Sequence, residues 1–341
     1  MRMNSVSVGV VGILIPTYNR LPFLEKSLAS ALNQTCRDVE VVVIDNGSTD
    51  GTPGYMAGID DPRVRYLVND RNLGLVGSIN KGISLMSEAV SWCTILCDDD
   101  LLESEYVADM SEFVASRQDV GVAYVPLTFI DADGRPVRKG IAGPETESAL
   151  SYLKARSQNR RETYLTGVFF PRKSFEAIGG YPAFTTGMAT DDAFIFHLGV
   201  MGKLVGCNKK AEAFVRLHEG SESVSLAGGL LKHFQALLDF RDYCCRVARD
   251  NGFSERDVEQ WIKGKIKLWL NSELIKAIRT GMEDRSGKRK KEALDEIHGS
   301  EGRLKGYLSL RFRADLYLYE RFDIFLGKHK LYFALWRIIT W

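Results

Sequence analysis

What this sequence lacks narrows its function early. Its 45 Lys and Arg balance 44 Asp and Glu, for a net charge of +1 over 341 residues. No one-signed field is available to hold nucleic acid, so any cationic role has to be local. Six cysteines (Cys36, Cys93, Cys97, Cys207, Cys244 and Cys245) form no CxxC pair and lack the density of a disulfide scaffold. They read as reduced thiols of a cytosolic protein. No secretory signal is legible at the start, and the apolar run Val8–Ile15 is too short to span a bilayer. No repeat or low-complexity tract is present. No GxGxxG follows the first apolar run, which excludes the common NAD-dependent oxidoreductases. What remains is ordinary for a globular protein, with 45% hydrophobic and 26% charged residues. The length exceeds one typical domain, so a large domain with an appended segment is expected.

The first two thirds alternates short apolar runs with helical patterns. Val8–Ile15, Val39–Ile44, Val64–Val68 and Trp92–Cys97 read as strands. Pro22–Asn33, a segment after Asp50, and Val76–Met86 read as helices between them. Runs that are apolar at successive positions are buried on both faces, and their alternation with helices predicts a mostly parallel α/β sheet. Ligands bind such sheets beyond the carboxyl ends of the strands. Polar residues gather there: Pro16-Thr17-Tyr18-Asn19, then Asp45-Asn46-Gly47, then Asp98-Asp99-Asp100. From Val120 to His218 short strands are expected at Val122–Val125, Gly167–Phe170, Lys203–Cys207 and Ala213–Leu217. The character changes near Leu226, which divides the chain into residues 1–225 and a mainly helical region, 226–341. Within the latter, Ile266, Leu270, Leu274 and Ile278 recur four apart over Trp261–Thr280, an amphipathic helix.

The acidic triple is the chemically pointed feature. Adjacent carboxylates raise one another's pKa unless a cation sits among them. An acidic run after a strand also suits a solvated loop or a helix start, and Glu103 and Glu105 extend it. Position favours the metal: the run ends an apolar strand at the ligand-binding edge, and hard Mg²⁺ or Mn²⁺ prefers a few carboxylates plus substrate phosphate oxygens.

Four segments, IPTYNR (Ile15–Arg20), VVVIDNGSTDGT (Val41–Thr52), NLGLVGSINKGI (Asn72–Ile83) and ILCDDDLL (Ile95–Leu102), stand in an order and spacing that resemble the family 2 glycosyltransferases. That resemblance extends to about His218. It implies the GT-A fold and inverting transfer from a nucleotide-sugar donor, UDP- or dTDP-linked, to a glycan or lipid-linked saccharide in cell-surface polysaccharide synthesis. It also implies residue roles. Pro16, Thr17, Tyr18 and Asn19 match the first nucleotide-binding loop, and Asp45 matches the carboxylate that meets the pyrimidine. Asp45 before Asn-Gly is equally a turn former, and Asn46 stands where a second acid is commoner. Arg71 could meet the diphosphate or the base, or be a solvated loop arginine. Asn80 matches a bracing residue. Asp98, Asp99 and Asp100 match the DxD metal site, with Asp98 and Asp99 also on the donor. The commoner motif starts one place earlier, at Cys97, so the order of importance among the three stays open. Cys97 itself reads as a small buried residue. His218, in an Arg-x-His segment, could complete the metal shell.

Inversion needs a base on the face opposite the leaving nucleotide. The resemblance assigns it to the pair Asp191-Asp192, with Asp192 first and Asp191 second; two acids opening a helix are also ordinary capping residues. The segment 306–341 combines ten aromatic residues with Arg and Lys, which suits either a membrane interface or packing on protein, including a second copy of the chain. The expected location is cytoplasmic, at the inner face of the membrane if the tail docks there. Two rival classes stay in view. A sugar nucleotidyltransferase would carry a Gly-rich basic loop where Pro16–Asn19 stands. A catalytically degenerate glycan-binding module would have no reason to keep both acidic clusters.

Overall fold

The repeated apolar run and helix become βα units in the computed structural model, which describes residues 8–218, 230–283 and 307. Strand β1 (Val10–Thr17) leads through α1 (Leu21–Leu32) to β2 (Val39–Asp45), then through α2 (Thr52–Ala57) to β3 (Val64–Val68). Helix α3 (Gly74–Ser84) leads to β4 (Val90–Ile95), which is followed by the short β5 (Leu101–Leu102) and α4 (Tyr106–Ala115). Next come β6 (Val120–Tyr124), β7 (Leu127–Ile130), β8 (Pro136–Lys139), β9 (Thr146–Ser148) and α5 (Ala149–Ser157). The series continues with β10 (Val168–Pro171), α6 (Arg172–Ala177), α7 (Thr190–Gly202), β11 (Leu204–Cys207) and β12 (Ala213–Arg216). Helices α8 (Leu230–Asp250) and α9 (Glu255–Glu283) follow.

Eight strands form one sheet in the order β3-β2-β1-β4-β10-β6-β11-β9. The run β3-β2-β1-β4 is parallel, as expected. Strand β10 enters antiparallel between β4 and β6, and β9 closes the far edge antiparallel to β11. Alternation sorts the side chains. Val11, Ile13 and Ile15 join Val39, Val41 and Val43 in a core beneath Leu24, Leu28 and Ala31 of α1. On the opposite face Leu14 lies so close under α3 that a Cβ on Gly82 would meet it at 2.4 Å. Strand β3 corrects the expectation of burial on both faces: it forms the sheet edge, and Val68 is 52% exposed. An edge strand has one partner strand and needs only one apolar face.

A second sheet, β5-β12-β7-β8, starts from the end of β4. Its β5–β12 ladder, Ala213 opposite Leu102 and Phe214 opposite Leu101, carries the segment from Arg216 to His218 back to the acidic triple.

Helix α7 matters for function because its first turn holds Asp191 and Asp192. Its other end lies backbone to backbone on β6. A Cβ on Gly121 would sit 2.2 Å from the Leu198 carbonyl oxygen and 2.7 Å from the Gly202 nitrogen. Only glycine permits that approach, which fixes where the start of α7 arrives.

The chain divides into two compact units, one of residues 1–227 with 235–261 and the other of 228–234 with 262–341. In the first, α8 buries Leu237, Phe240, Cys244, Val247 and Ala248 at helical spacing. In the second, Ile266 and Leu270 of α9 are buried as their spacing predicts, while the side chains of Leu274 and Ile278 lie outside the described residues. So do the boundary expected near Leu226 and the tail 306–341 apart from Tyr307. Among the described residues no helix is long and apolar enough to cross a membrane.

Gly121→Ala tests the α7–β6 approach. Overpacking of this kind costs about 1–3 kcal/mol, and the expected result is an unfolding midpoint in urea lowered accordingly; an unchanged midpoint would mean that the two backbones are not in contact.

Candidate active site

Two loops at the carboxyl ends of β1 and β2 tie each other down. Asn19 adopts a left-handed φ of 53°, which asparagine tolerates better than most residues. Its Oδ1 then accepts from the Thr49 amide at 2.7 Å, and its own amide donates to Ser48 Oγ at 2.8 Å. Asp45 is fully buried, with Oδ1 accepting from the Ser48 amide and hydroxyl and Oδ2 from the Tyr66 hydroxyl. These are the bonds of a turn-forming residue. Asn46 joins three segments: its Oδ1 accepts from Asn69 Nδ2, the Leu73 amide and Ser78 Oγ, and its Nδ2 donates to the Gly74 carbonyl. A carboxylate could make the first three bonds but not the fourth, which gives the amide a purpose at a position where the resemblance leads one to expect an acid. Pro16 lies in the β1–β2 ladder opposite Ile44. Tyr18 is 45% exposed beside it, leaving a ring face open at the sheet edge. Arg71 is exposed on the loop between β3 and α3.

The triple is buried, with Asp98 at 5%, Asp99 at 9% and Asp100 at 5% exposure. Thr17 Oγ1 donates to Asp98 at 2.8 Å. A single Arg20 nitrogen, Nη1, lies 3.3 Å from Asp98 Oδ1 and 3.0 Å from Asp99 Oδ2. His218 Nε2 is 3.0 Å from the same Asp99 oxygen, its ring stacked on Phe23 at 4.8 Å. Asp100 accepts from Thr166 Oγ1 at 2.6 Å and from the Arg216 amide at 2.8 Å. Burial pushes Asp98 up to about 6, with Arg20 opposing and Asp99 adding to the rise. Burial, and then the negative Asp99, push Asp100 up to about 8. The pocket therefore holds more negative charge than its own donors offset, the condition in which a cation is favoured. One ligand atom each from Cys97, Asp99 and Asp100 lies within 4.8 Å of the others, close enough for one ion to reach all three. Two carboxylates fit a hard cation. Cys97 is half-buried with its sulfur in this group, so it is part of the pocket and not only packing. Asp98 and His218 lie outside that group of three and beside it, through Arg20 and Asp99.

The two carboxylates of the second acidic cluster have different surroundings. Asp192 is fully buried, its Oδ1 2.5 Å from Arg156 Nε on α5. Burial works to lower the Arg156 pKa, but Asp192 outweighs it and the net direction is upward. Asp192, which the resemblance puts first as the base, is thus enclosed and paired with a buried arginine. Asp191 is the more exposed of the pair. It accepts from the Tyr181 hydroxyl and from the Leu165 backbone, and burial pushes it up to about 6. Ala189, two residues before it, takes a left-handed φ of 59°, a strained conformation for alanine immediately before the helix. Asn80 braces this arrangement: its Nδ2 donates to the Tyr181 carbonyl at 3.1 Å and its Oδ1 accepts from the Tyr181 amide at 2.7 Å. Thr166, just before β10, ties Asp100 from the side chain.

The residues that sequence reasoning missed are the partners: Arg20, Thr166, Tyr181, Arg156 and Tyr66. Arg20 stood inside a quoted motif, so its signal was present. Thr166 and Arg156 carry no local pattern that separates them from any other buried threonine or helix arginine.

Asp192→Asn leaves Arg156 charged, buried and without its counter-ion, and breaking such a pair costs about 3–5 kcal/mol. Urea unfolding of the variant measures it. A midpoint like that of the native chain would remove Asp192 from the structural role given to it here.

Comparison with known proteins bears on what this geometry belongs to. Residues 12–179 match the model of Glycosyl transferase family 2; Asp191 and Asp192 lie beyond the matched residues. The succinoglycan biosynthesis protein ExoO of Rhizobium meliloti is 35% identical over 128 residues, 38% of this chain and 36% of that protein. The GalNAc(5)-diNAcBac-PP-undecaprenol beta-1,3-glucosyltransferase of Campylobacter jejuni is 35% identical over 118 residues, 34% of this chain and 36% of that protein. The chondroitin synthase of Escherichia coli is 34% identical over 142 residues, 40% of this chain and 20% of that one. The chain thus spans little more than a third of the length of these relatives, or less. The crystal structure of S. aureus TarS 1–349 in complex with UDP-GlcNAc superposes with a TM-score of 0.60 at 15% identity, covering 76% of this chain and 72% of that one. At such identity the likeness shows the fold alone, a GT-A arrangement of a large mostly parallel sheet flanked by helices. The first loop, the Asp45–Asn46 turn, Asn80 and the acidic triple all lie inside residues 12–179, the part of the chain that matches glycosyl transferase family 2.

Proposed function

We propose that this chain is an inverting glycosyltransferase that moves a sugar from a UDP- or dTDP-linked donor to a glycan or lipid-linked saccharide acceptor in cell-surface polysaccharide synthesis. The observation that carries the reading is the acidic triple, buried at the carboxyl end of β4 within the residues that match the family. A cation-favouring site for a departing diphosphate is what a displacement at an anomeric carbon requires of the leaving-group side.

In this reading the donor diphosphate lies against Asp98, Asp99 and Asp100, with the nucleoside on the loop Pro16–Asn19 and Arg71 facing the diphosphate or the base. The exposed Tyr18 ring offers a stacking surface for the base, and Asp45 keeps the loop in shape through Ser48 and Tyr66. Mn²⁺ or Mg²⁺ held by the triple, with Cys97 and His218 alongside, would offset the charge that grows on the departing nucleoside diphosphate. Asp191 accepts the proton of the acceptor hydroxyl as its oxygen bonds the anomeric carbon and the bond from that carbon to the diphosphate oxygen breaks. Asn80 and Tyr181 hold Asp191 in position for that transfer, and Asp192 fixes the start of the helix through Arg156.

The relatives' printed names, succinoglycan biosynthesis and an undecaprenol-linked glucosyltransferase among them, support an extended or lipid-linked acceptor. The UDP-GlcNAc bound to TarS supports a uridine donor. A cytoplasmic enzyme whose aromatic and basic segment 306–341 rests on the inner membrane face would meet such an acceptor; homo-oligomerisation through the same segment is the other use of that surface.

Asp191→Asn is expected to lower turnover by about 10²–10⁴-fold, the usual worth of general base catalysis, with donor affinity nearly unchanged. Burial holds the Asp191 pKa near 6, above the ordinary carboxylate value. The base form therefore accumulates as pH rises, and turnover climbs through about pH 6 and levels above it. Native-like turnover in the variant, or a rate independent of pH from 5 to 7.5 under chemistry-limited conditions, would remove Asp191 from this role.

A further inference from the structure

Arg20 is paired with Asp99, a carboxylate it shares with the group Cys97, Asp99 and Asp100 that one metal ion could reach. Its backbone starts α1, with its carbonyl accepting from the Phe23 and Leu24 amides, so the residue is anchored while its side chain reaches over the triple. One nitrogen bridges Asp98 Oδ1 at 3.3 Å and Asp99 Oδ2 at 3.0 Å, the geometry in which a cation bridges two carboxylates. The guanidinium stays charged at any working pH. Other arginines around the site are committed elsewhere. Arg216, 3% exposed, donates to the carbonyls of Asp99, Asp131 and Ala132, and Arg156 holds Asp192 and the Arg161 carbonyl. The Arg20 side chain is 29% exposed.

We infer that Arg20 is an exchangeable counter-cation: it neutralises Asp98 and Asp99 while the site is empty, and turns to the donor diphosphate when a divalent cation takes the Asp99 carboxylate. This rests on the donor-site reading above. Two positive groups sharing the Asp99 carboxylate repel each other, and the guanidinium, still tethered at the start of α1, has a planar fork of donors suited to phosphate oxygens. Empty, the pocket has part of the charge of its three buried carboxylates offset by this arginine. Loaded, the same arginine becomes a ligand of the substrate.

The two roles give opposite signs to one substitution. In Arg20→Gln, Mn²⁺ binding to the nucleotide-free chain should tighten about tenfold, because a positive charge a few ångströms from the ligand oxygens is gone. UDP binding at saturating Mn²⁺ should weaken about 10–100-fold, the worth of a charge-assisted phosphate contact. Calorimetric titrations of the full chain with MnCl₂ alone, then with UDP, read both. Arg20→Lys retains the competing charge and should keep its Mn²⁺ affinity within about threefold of the native chain. Weakening of both ligands in Arg20→Gln would mean a merely structural arginine and overturn the inference, as would no change in either. A native chain that binds Mn²⁺ and UDP normally while Arg20→Gln is indifferent sinks this inference alone. A native chain that binds neither sinks the donor-site reading and this inference with it.

Discussion

Burying Asp98, Asp99 and Asp100 together, none more than 9% exposed, is the constraint on which the rest of the site depends. Three carboxylates out of water are unfavourable unless positive charge or hydrogen-bond donors meet them. The fold brings those partners from far apart in the sequence: Thr17 and Arg20 after β1, Thr166 before β10, and the Arg216 amide and His218 at the end of β12. The β5–β12 ladder has this consequence above all others, since it returns the Arg216–His218 segment to the residues that follow β4. Even so, burial leaves Asp98 near 6 and Asp100 near 8, a pocket short of cation.

A second relation links Asn80, through Tyr181, to Asp191, 111 residues further along the chain. Asn80 is bonded to both backbone groups of Tyr181, and the Tyr181 hydroxyl reaches Asp191. The Gly121 approach to the far end of α7 sets the same helix from the opposite side. Asp191 is thus positioned by rigid elements at both ends of its helix, although the loop before it is irregular and includes a left-handed Ala189.

Much of this was legible in the sequence, and the reason is periodicity. A run such as Val41–Ile44 is apolar at successive positions because helices cover both faces of the sheet, and polar residues at the strand ends mark the ligand edge by position alone. The different surroundings of the two carboxylates that open α7 were not legible. Adjacent Asp191 and Asp192 look alike in sequence; the fold separates them by turning one toward Arg156 and the other toward Tyr181. Asn46 shows the same limit. It reads as a lost acid until its amide is seen to join β2, β3 and α3. Antiparallel β10 also escaped the pattern, because a strand buried between two neighbours is apolar whichever way it runs.

The central claim is that the acidic triple binds the diphosphate end of a nucleotide-sugar through a divalent cation. Calorimetric titration of UDP and dTDP into the full chain, with Mn²⁺ and with chelator, in native and Asp99→Asn forms, tests it most directly. The account predicts that one nucleotide binds the native chain at least about tenfold tighter with Mn²⁺ than without, and that Asp99→Asn abolishes most of that difference by removing a ligand carboxylate. Nucleotide binding that is indifferent to Mn²⁺, or a Mn²⁺ dependence that survives Asp99→Asn unchanged, would contradict it.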